Sequence, residues 1–223
     1  MSSFLRTTTF AGTLALLAGC GYGKTGPGQT VSVRLYDQAQ VPAAVLHSAM
    51  MEASRLFRAA GIRITWEQPP VEAPEDQGTD MTAAAFRQRD ERPYLVIRLM
   101  RRTPASAYPG ALGYSLPFAQ HGADVLIFYD RVEGLTQRVN TAGYVILGHA
   151  MAHELGHILL RSSEHSNTVL MQACWTAESW RLAAAGLPSF EREEARRMRV
   201  RNDQAARHRR PLAYAQGSVA VVY

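Results

Sequence analysis

Residues 141–160, TAGYVILGHAMAHELGHILL, are the stretch of sequence that decides the fold. Their apolar residues recur at helical spacing with no interior proline, which predicts a helix over the whole stretch. His153, Glu154 and His157 form an H-E-x-x-H pattern within it. Residues four apart share one face of a helix, so the two imidazoles are predicted to reach the same metal ion.

The pattern also predicts a chemistry. Zn²⁺ accepts two neutral imidazoles, and in catalytic sites it takes a third protein ligand and keeps one position open. The carboxylate of Glu154 adjoins the same helix face, where it can act as general base on water whose pKa the metal lowers to about 7. Two other hypotheses stay open. One is a catalytically silent zinc module of the cell envelope, and the weaker one is a structural protein in which the motif is coincidental.

The residues that follow extend the motif to HELGHILLRSSEHSNTVLM, from position 153 to 171. This sequence resembles the metzincin clan of zinc metallopeptidases and, within it, the matrixin pattern of H-E-x-G-H, a short loop, His-Ser and a methionine turn. The resemblance implies an endopeptidase with Zn²⁺ bound by His153, His157 and His165. It also implies that Glu154 is the base and that Met171 lies in the turn beneath the metal.

The resemblance implies a fold class as well. A metzincin-like domain is α+β, with a twisted, mostly parallel sheet, an antiparallel edge strand, an active-site helix and a C-terminal helix. In that fold the edge strand, here ALGYSLPF at 111–118, holds an extended peptide or protein substrate by main-chain pairing.

The third ligand is the position where the sequence departs from the usual metzincin pattern. Leu160 stands where that pattern has glycine, and the spacing to His165 is two residues longer. A longer loop can make the turn without glycine, because extra residues relax the backbone angles that the turn requires. Glu178, placed as in a gluzincin-type peptidase, and Glu164 remain alternative ligands. His149 is predicted to be a packing residue, since histidines at three successive helical turns span about 12 Å.

Apolar periodicity places the remaining elements. Strands are predicted at 31–36, 62–66, 94–99, 111–118 and 123–129, and helices at 42–60 and 189–209, with a short helix at 80–88.

The N-terminus predicts export. Arg6 and an apolar run precede Leu17-Ala18-Gly19-Cys20, which resembles a bacterial lipobox. We therefore expect a signal peptide at 1–19, a lipid on Cys20, a tether at 20–30, the peptidase domain at 31–210 and a tail at 211–223. The protein is expected to be lipid-anchored to a membrane of the bacterial cell envelope, and the alternative is an ordinary secreted protein.

Composition fits this reading. A chain of 223 residues has room for one well-buried domain, and its net charge is +5. Much of the basic charge lies in the predicted C-terminal helix, which carries acids but no stacking aromatics, so no nucleic-acid partner is expected and the helix is predicted to be solvated. With Cys20 lipidated, Cys174 has no disulfide partner and is expected to be a small buried hydrophobe. The protein is expected to be a monomer.

Overall fold

The structure is a computed structural model that describes residues 29–69, 94–118, 123–167, 170–187, 189–208 and 220–222. Most of the predicted N-terminal segments, including Cys20, and the short helix at 80–88 lie outside the described residues. Within these ranges, no helix is both long enough and apolar enough to cross a membrane.

The described residues form strands and helices in the following order: β1 (Gln29–Asp37), α1 (Ala43–Ala59), β2 (Ile62–Glu67), β3 (Tyr94–Met100), β4 (Gly113–Ser115), β5 (Ala123–Phe128), α2 (Tyr129–Val139), α3 (Gly143–Leu160), α4 (Ala177–Ala184), α5 (Arg192–His208) and β6 (Ala220–Val222).

One mixed sheet organises the fold, with the strand order β2-β1-β3-β5-β4-β6. Strands β2, β1, β3 and β5 are parallel, and β4 pairs antiparallel with β5. The predicted α+β class, with a mostly parallel sheet and an antiparallel strand, is confirmed. One detail is corrected, because β4 is not the outermost strand: Ala220–Val222 pairs with its outer side. An exposed strand edge attracts such pairing, and the valines of β6 favour extended backbone.

The core lies between the sheet and two helices that pack against each other, α1 and α3. Alternation buries Val31, Val33 and Leu35 of β1. Helix α1 follows Pro42 and buries an apolar face that includes Leu56 and Phe57. The apolar residues that recur at strand or helix spacing in the sequence are the ones that are buried. The predicted bounds of these elements therefore agree with the structure to within a few residues.

Helix α3 is buried on every side from Val145 to Leu160. The sequence suggested an amphipathic helix, but a helix that is apolar all round belongs in the middle of a domain. It approaches α1 closely at Gly148, where a Cβ atom would lie 2.8 Å from the Ala49 carbonyl oxygen. The helix that carries the histidines is therefore held firmly against its neighbour.

Two helices were not predicted from the sequence. Helix α2 directly follows β5, so Tyr129 begins a helix instead of ending a strand, and Asn140 ends it in the left-handed region at φ 50°. Helix α4 begins with a capping box, in which Thr176 and Ser179 each bond the other's backbone N–H. The C-terminal helix α5 does carry the expected internal ion pairs, such as Arg196 with Glu193 at 2.6 Å.

Candidate metal centre

The centre of the site is the pair His153 and His157, which lie one turn apart on α3. Both side chains are fully buried, and their Nε2 atoms are 2.9 Å apart. The helical spacing predicted from the sequence therefore brings the two imidazoles together.

The opposite nitrogens of the two rings fix their protonation. His153 Nδ1 lies 2.7 Å from the Leu170 carbonyl oxygen, and His157 Nδ1 lies 2.8 Å from that of Ser162. A carbonyl oxygen can only accept a hydrogen bond, so each Nδ1 must carry the proton. In the neutral rings, both Nε2 atoms then direct lone pairs at the same small space. Such an arrangement is unfavourable unless a cation lies between them, and it is the usual orientation of metal-binding histidines.

Both rings are held neutral. Burial lowers the pKa of His157 to about 4, and the neighbouring His165 adds to this effect, while the bond to Ser162 opposes it. The pKa of His153 lies well below its ordinary value, first because of burial and then because of repulsion from His157. A neutral imidazole is the form that binds a metal ion, so these rings can act as ligands near pH 7.

His165 completes the cluster. Its ring centroid lies 5.3 Å from that of His153 and 4.9 Å from that of His157. One ligand atom from each of the three histidines falls within 4.8 Å of the others. Nitrogens bound to one tetrahedral zinc ion lie roughly 3.4 Å apart. The observed separations lie on both sides of that value, so small ring movements would let the three histidines hold a divalent metal ion.

The end of α3 shows how the chain turns without the missing glycine. The helix continues through Leu160, and Arg161 takes the left-handed conformation at φ 48°, with Ser162 N–H donating to the His157 carbonyl oxygen at 3.1 Å. The turn that other sequences make with glycine is made here one residue later by a side-chain-bearing residue. The cost is of the order of 1 kcal/mol.

A hydrogen-bond network that was not predicted from the sequence holds the loop next to His165. Ser166 N–H donates to the Met171 carbonyl oxygen at 3.0 Å, and Ser166 Oγ donates to Glu194 Oε1 at 2.7 Å. The second oxygen of Glu194 accepts the Glu191 N–H at 2.8 Å. Glu194 is 7% exposed and ties the loop to the start of α5. In the sequence it is one acid among many in a charged helix, and only the serine after His165 pointed to this contact.

Met171, predicted to lie in a methionine turn, packs closely against Gly156 of α3. A Cβ atom on Gly156 would lie 2.8 Å from Met171 Sδ and 2.9 Å from Phe190 Cε1. Gly156 stands between His153 and His157 in the sequence, so the thioether packs against the stretch of α3 that carries the two histidines. Only glycine allows this close approach.

The other acidic candidates differ in their placement. Glu154 is fully buried on α3 between the two histidines. Glu178 is exposed in the first turn of α4, where its carboxylate is paired with Arg181 at 2.7 Å. Glu164 is exposed in the loop, one residue before His165. The structure therefore buries Glu154 on the helix that carries His153 and His157, and it leaves Glu178 in a surface ion pair.

His149 packs in the core, as predicted. Its Nδ1 donates to the Val145 carbonyl oxygen at 2.8 Å, and its ring meets Trp175 edge-on at 5.5 Å between centroids. Burial lowers its pKa, which keeps the ring neutral. Cys174, beside Trp175, is exposed, so the expectation that it would be a buried hydrophobe is wrong.

A cavity of about 480 Å³ lies between α2 and the segment after Met171. Leu112 and Leu135 line it together with Trp175 and Trp180, and Arg138 lines it as well. The histidines do not line this cavity. It lies at the start of β4, since Leu112 immediately precedes that strand, and its Trp175 packs against His149, which lies one turn before His153 on α3.

Comparisons with known proteins add little. No protein-family model and no curated protein matches the chain. Among solved structures, the crystal structure of metalloproteinase-II from Bacteroides fragilis is similar, with a TM-score of 0.43 and 14% sequence identity over 78% of this chain. The match covers 53% of that protein, so this chain spans about half of its length. A similarity this distant does not assign a function.

Proposed function

We propose that the protein is a zinc-dependent endopeptidase, with His153, His157 and His165 as metal ligands and Glu154 as general base. The observation that carries the proposal is the 2.9 Å distance between the Nε2 atoms of His153 and His157, whose lone pairs point at each other in a buried site. Two neutral imidazoles would repel each other in this geometry without a cation, and the nearby third histidine completes the ligand number of catalytic zinc.

The chain's own residues have distinct roles in this proposal. A zinc ion at the site would act as a Lewis acid, which lowers the pKa of water and polarises a carbonyl group. The carboxylate of Glu154 accepts a proton from the attacking water and passes it to the leaving amine. Leu170 and Ser162 hold the ligand rings in place through their carbonyl oxygens.

Two features support a peptide substrate. Strand β4 packs beside α3, so a peptide paired with β4 would extend along the helix that carries the histidines. The cavity next to the start of β4 has tryptophan and leucine walls. We infer that it receives a large apolar side chain of the substrate, with Arg138 at one side.

The place of action is proposed from the sequence alone. The lipobox-like Leu17-Ala18-Gly19-Cys20 supports export and attachment to a membrane through a lipid on Cys20. A protein so anchored would act on peptides or proteins of the cell envelope as a monomer and would not need nucleic acid.

The proposal is tested by metal content and activity together. We expect the purified protein to contain about one zinc ion per chain by elemental analysis and to cleave a denatured protein substrate. Glu154→Gln should keep the zinc and lose activity by roughly 10²–10⁴-fold, since it removes the base and keeps the shape. If wild type binds zinc but cleaves nothing, the protein is a silent zinc module. If it binds no metal, the assignment of the three histidines is wrong.

A further inference from the structure

The outer edge of β4 has a definite set of backbone groups, which the pairing with β5 reveals. Phe128 N–H donates to the Leu112 carbonyl oxygen at 2.8 Å, and Leu116 N–H donates to that of Asp124 at 3.2 Å. Along an antiparallel ladder, every second residue directs its backbone N–H and C=O groups at the same neighbouring strand. The backbone groups of Tyr114, like those of Leu112 and Leu116, therefore face β5. The N–H and C=O groups of Gly113 and Ser115 therefore point outward, away from β5.

Strand β6 lies on these outward groups. Gly113 is opposite Val222, Tyr114 is opposite Val221, and Ser115 is opposite Ala220, in antiparallel register. By the same alternation, Ala220 and Val222 are the residues whose backbone groups face β4, while those of Val221 face away. The groups that an extended peptide would need on β4 are thus already engaged by the chain itself.

The position of β6 also bears on the metal site. Helix α3 packs against both β4 and β6. The preceding helix α5 contacts β1, with Asn202 Nδ2 3.4 Å from Gln29 Oε1, and β1 is four strand positions away from β6. Residues 209–219, eleven in number, join α5 to β6 and can span roughly 36 Å. The edge strand that packs against α3 is therefore a segment that follows α5 in the sequence.

We infer that residues 220–222 are a built-in competitor of extended peptides for the outer edge of β4. The consequence for catalysis rests on the proposed peptidase function. Since the segment belongs to the same chain, its pairing is intramolecular and needs no partner concentration. A substrate must displace it before pairing with Gly113 and Ser115, which raises the apparent KM and makes peptide access depend on how firmly β6 is held.

Proline variants separate this competition from a general effect of altering the segment. Ala220→Pro removes an N–H that faces β4, and Val222→Pro is a second variant of the same kind. Val221→Pro is the matched control, because its N–H faces away from β4 and an edge strand tolerates proline there. All three changes are made in the full chain.

The first measurement does not need activity. A fluorescently labelled peptide with the sequence of residues 217–223, GSVAVVY, is titrated into each variant in a Glu154→Gln background and followed by anisotropy. We expect Ala220→Pro and Val222→Pro to bind it roughly three- to tenfold more tightly than wild type, the factor that corresponds to one backbone hydrogen bond. Val221→Pro should bind like wild type. Equal binding by all variants, or tighter binding by Val221→Pro as well, would overturn the inference.

The second measurement uses active protein and a fluorogenic peptide. Ala220→Pro should lower KM by a similar factor and leave kcat unchanged, and Val221→Pro should change neither. If no variant cleaves any peptide but the difference in binding persists, the peptidase proposal fails and the competition for β4 is supported. If cleavage occurs and KM is the same throughout, the peptidase proposal is supported and the competition is overturned.

Discussion

Three helical glycines test the packing around the metal centre, because alanine at each would meet different neighbours. Replacing glycine with alanine inside a helix is worth roughly 1 kcal/mol of stability when the new methyl group has room. Gly134 of α2 has that room, since its nearest neighbour would be Arg138 Nη1 at 3.4 Å. We expect Gly134→Ala to stabilise the protein by roughly 0.5–1 kcal/mol.

Gly148 and Gly156 of α3 lack that room. The methyl group at Gly148 would lie 2.8 Å from both the Ala49 carbonyl oxygen and Glu52 Cβ, and the backbone of α1 cannot move aside alone. Overpacking of this kind costs roughly 1–3 kcal/mol, and we place Gly148→Ala at the upper end, for a net loss of about 2 kcal/mol after the helix gain. At Gly156 the obstacle includes the flexible end of Met171, so a net loss of about 1 kcal/mol is expected.

Urea unfolding with and without zinc distinguishes the loss of stability in Gly148→Ala from that in Gly156→Ala. Without metal, stability should follow the order Gly134→Ala, wild type, Gly156→Ala, Gly148→Ala. Gly156→Ala should also gain less stability from zinc than Gly148→Ala does. The reason is that displaced Met171 disturbs Leu170, whose carbonyl oxygen orients His153. The reasoning is refuted if Gly148→Ala is as stable as Gly134→Ala, or if the gain from zinc is the same in all four proteins.

Three further predictions concern the ligands and their support. His165→Ala should weaken zinc binding by at least about a hundredfold in a chelator competition, whereas Glu178→Gln should leave it unchanged; the reverse result would favour the gluzincin-type ligand set. Glu194→Gln should weaken it by roughly tenfold through the loop that carries His165, and Glu193→Gln, an exposed neighbour, should not. In the metal-free protein, His157 alone should lower the free energy of unfolding by about 3 kcal/mol as pH drops from 6.5 to 4, because this residue, with a folded pKa of about 4, gains its proton first in the unfolded state. Urea unfolding across this range checks the sign, and His157→Gln should reduce the dependence.

Much of the fold could be predicted because the spacing of apolar residues along the sequence indicates which side chains are buried. The strand over 62–66 and the helix over 141–160 lie within one or two residues of the observed elements. Helix α2 was missed because it starts without a break from β5, and Gly134 in its middle weakens the helical signal. Helix α4 was missed because it is only about two turns long and its capping box falls within a polar stretch.

The limits at the site have a different cause. The spacing of His153 and His157 is local, so a helix alone brings their nitrogens together. The contact of Ser166 with Glu194 joins residues 28 apart in sequence, and no periodic pattern reports such a pairing. The pairing of β6 with β4 is longer in range still, which is why a segment assigned to a tail lies in the sheet.

The loop from Arg161 to Met171 does more than carry the third histidine. Its carbonyl oxygens at Ser162 and Leu170 accept the Nδ1–H groups of His157 and His153, so the same loop orients the two ligands that lie on the helix. If the three histidines bind a metal ion as proposed, closure of the loop and assembly of the metal site are one event. The loop is fixed near both ends by the two helical histidines, and Arg161 makes the turn that leaves the helix. A change that opens the loop should disturb all three ligands together, and metal binding should in turn stabilise the loop.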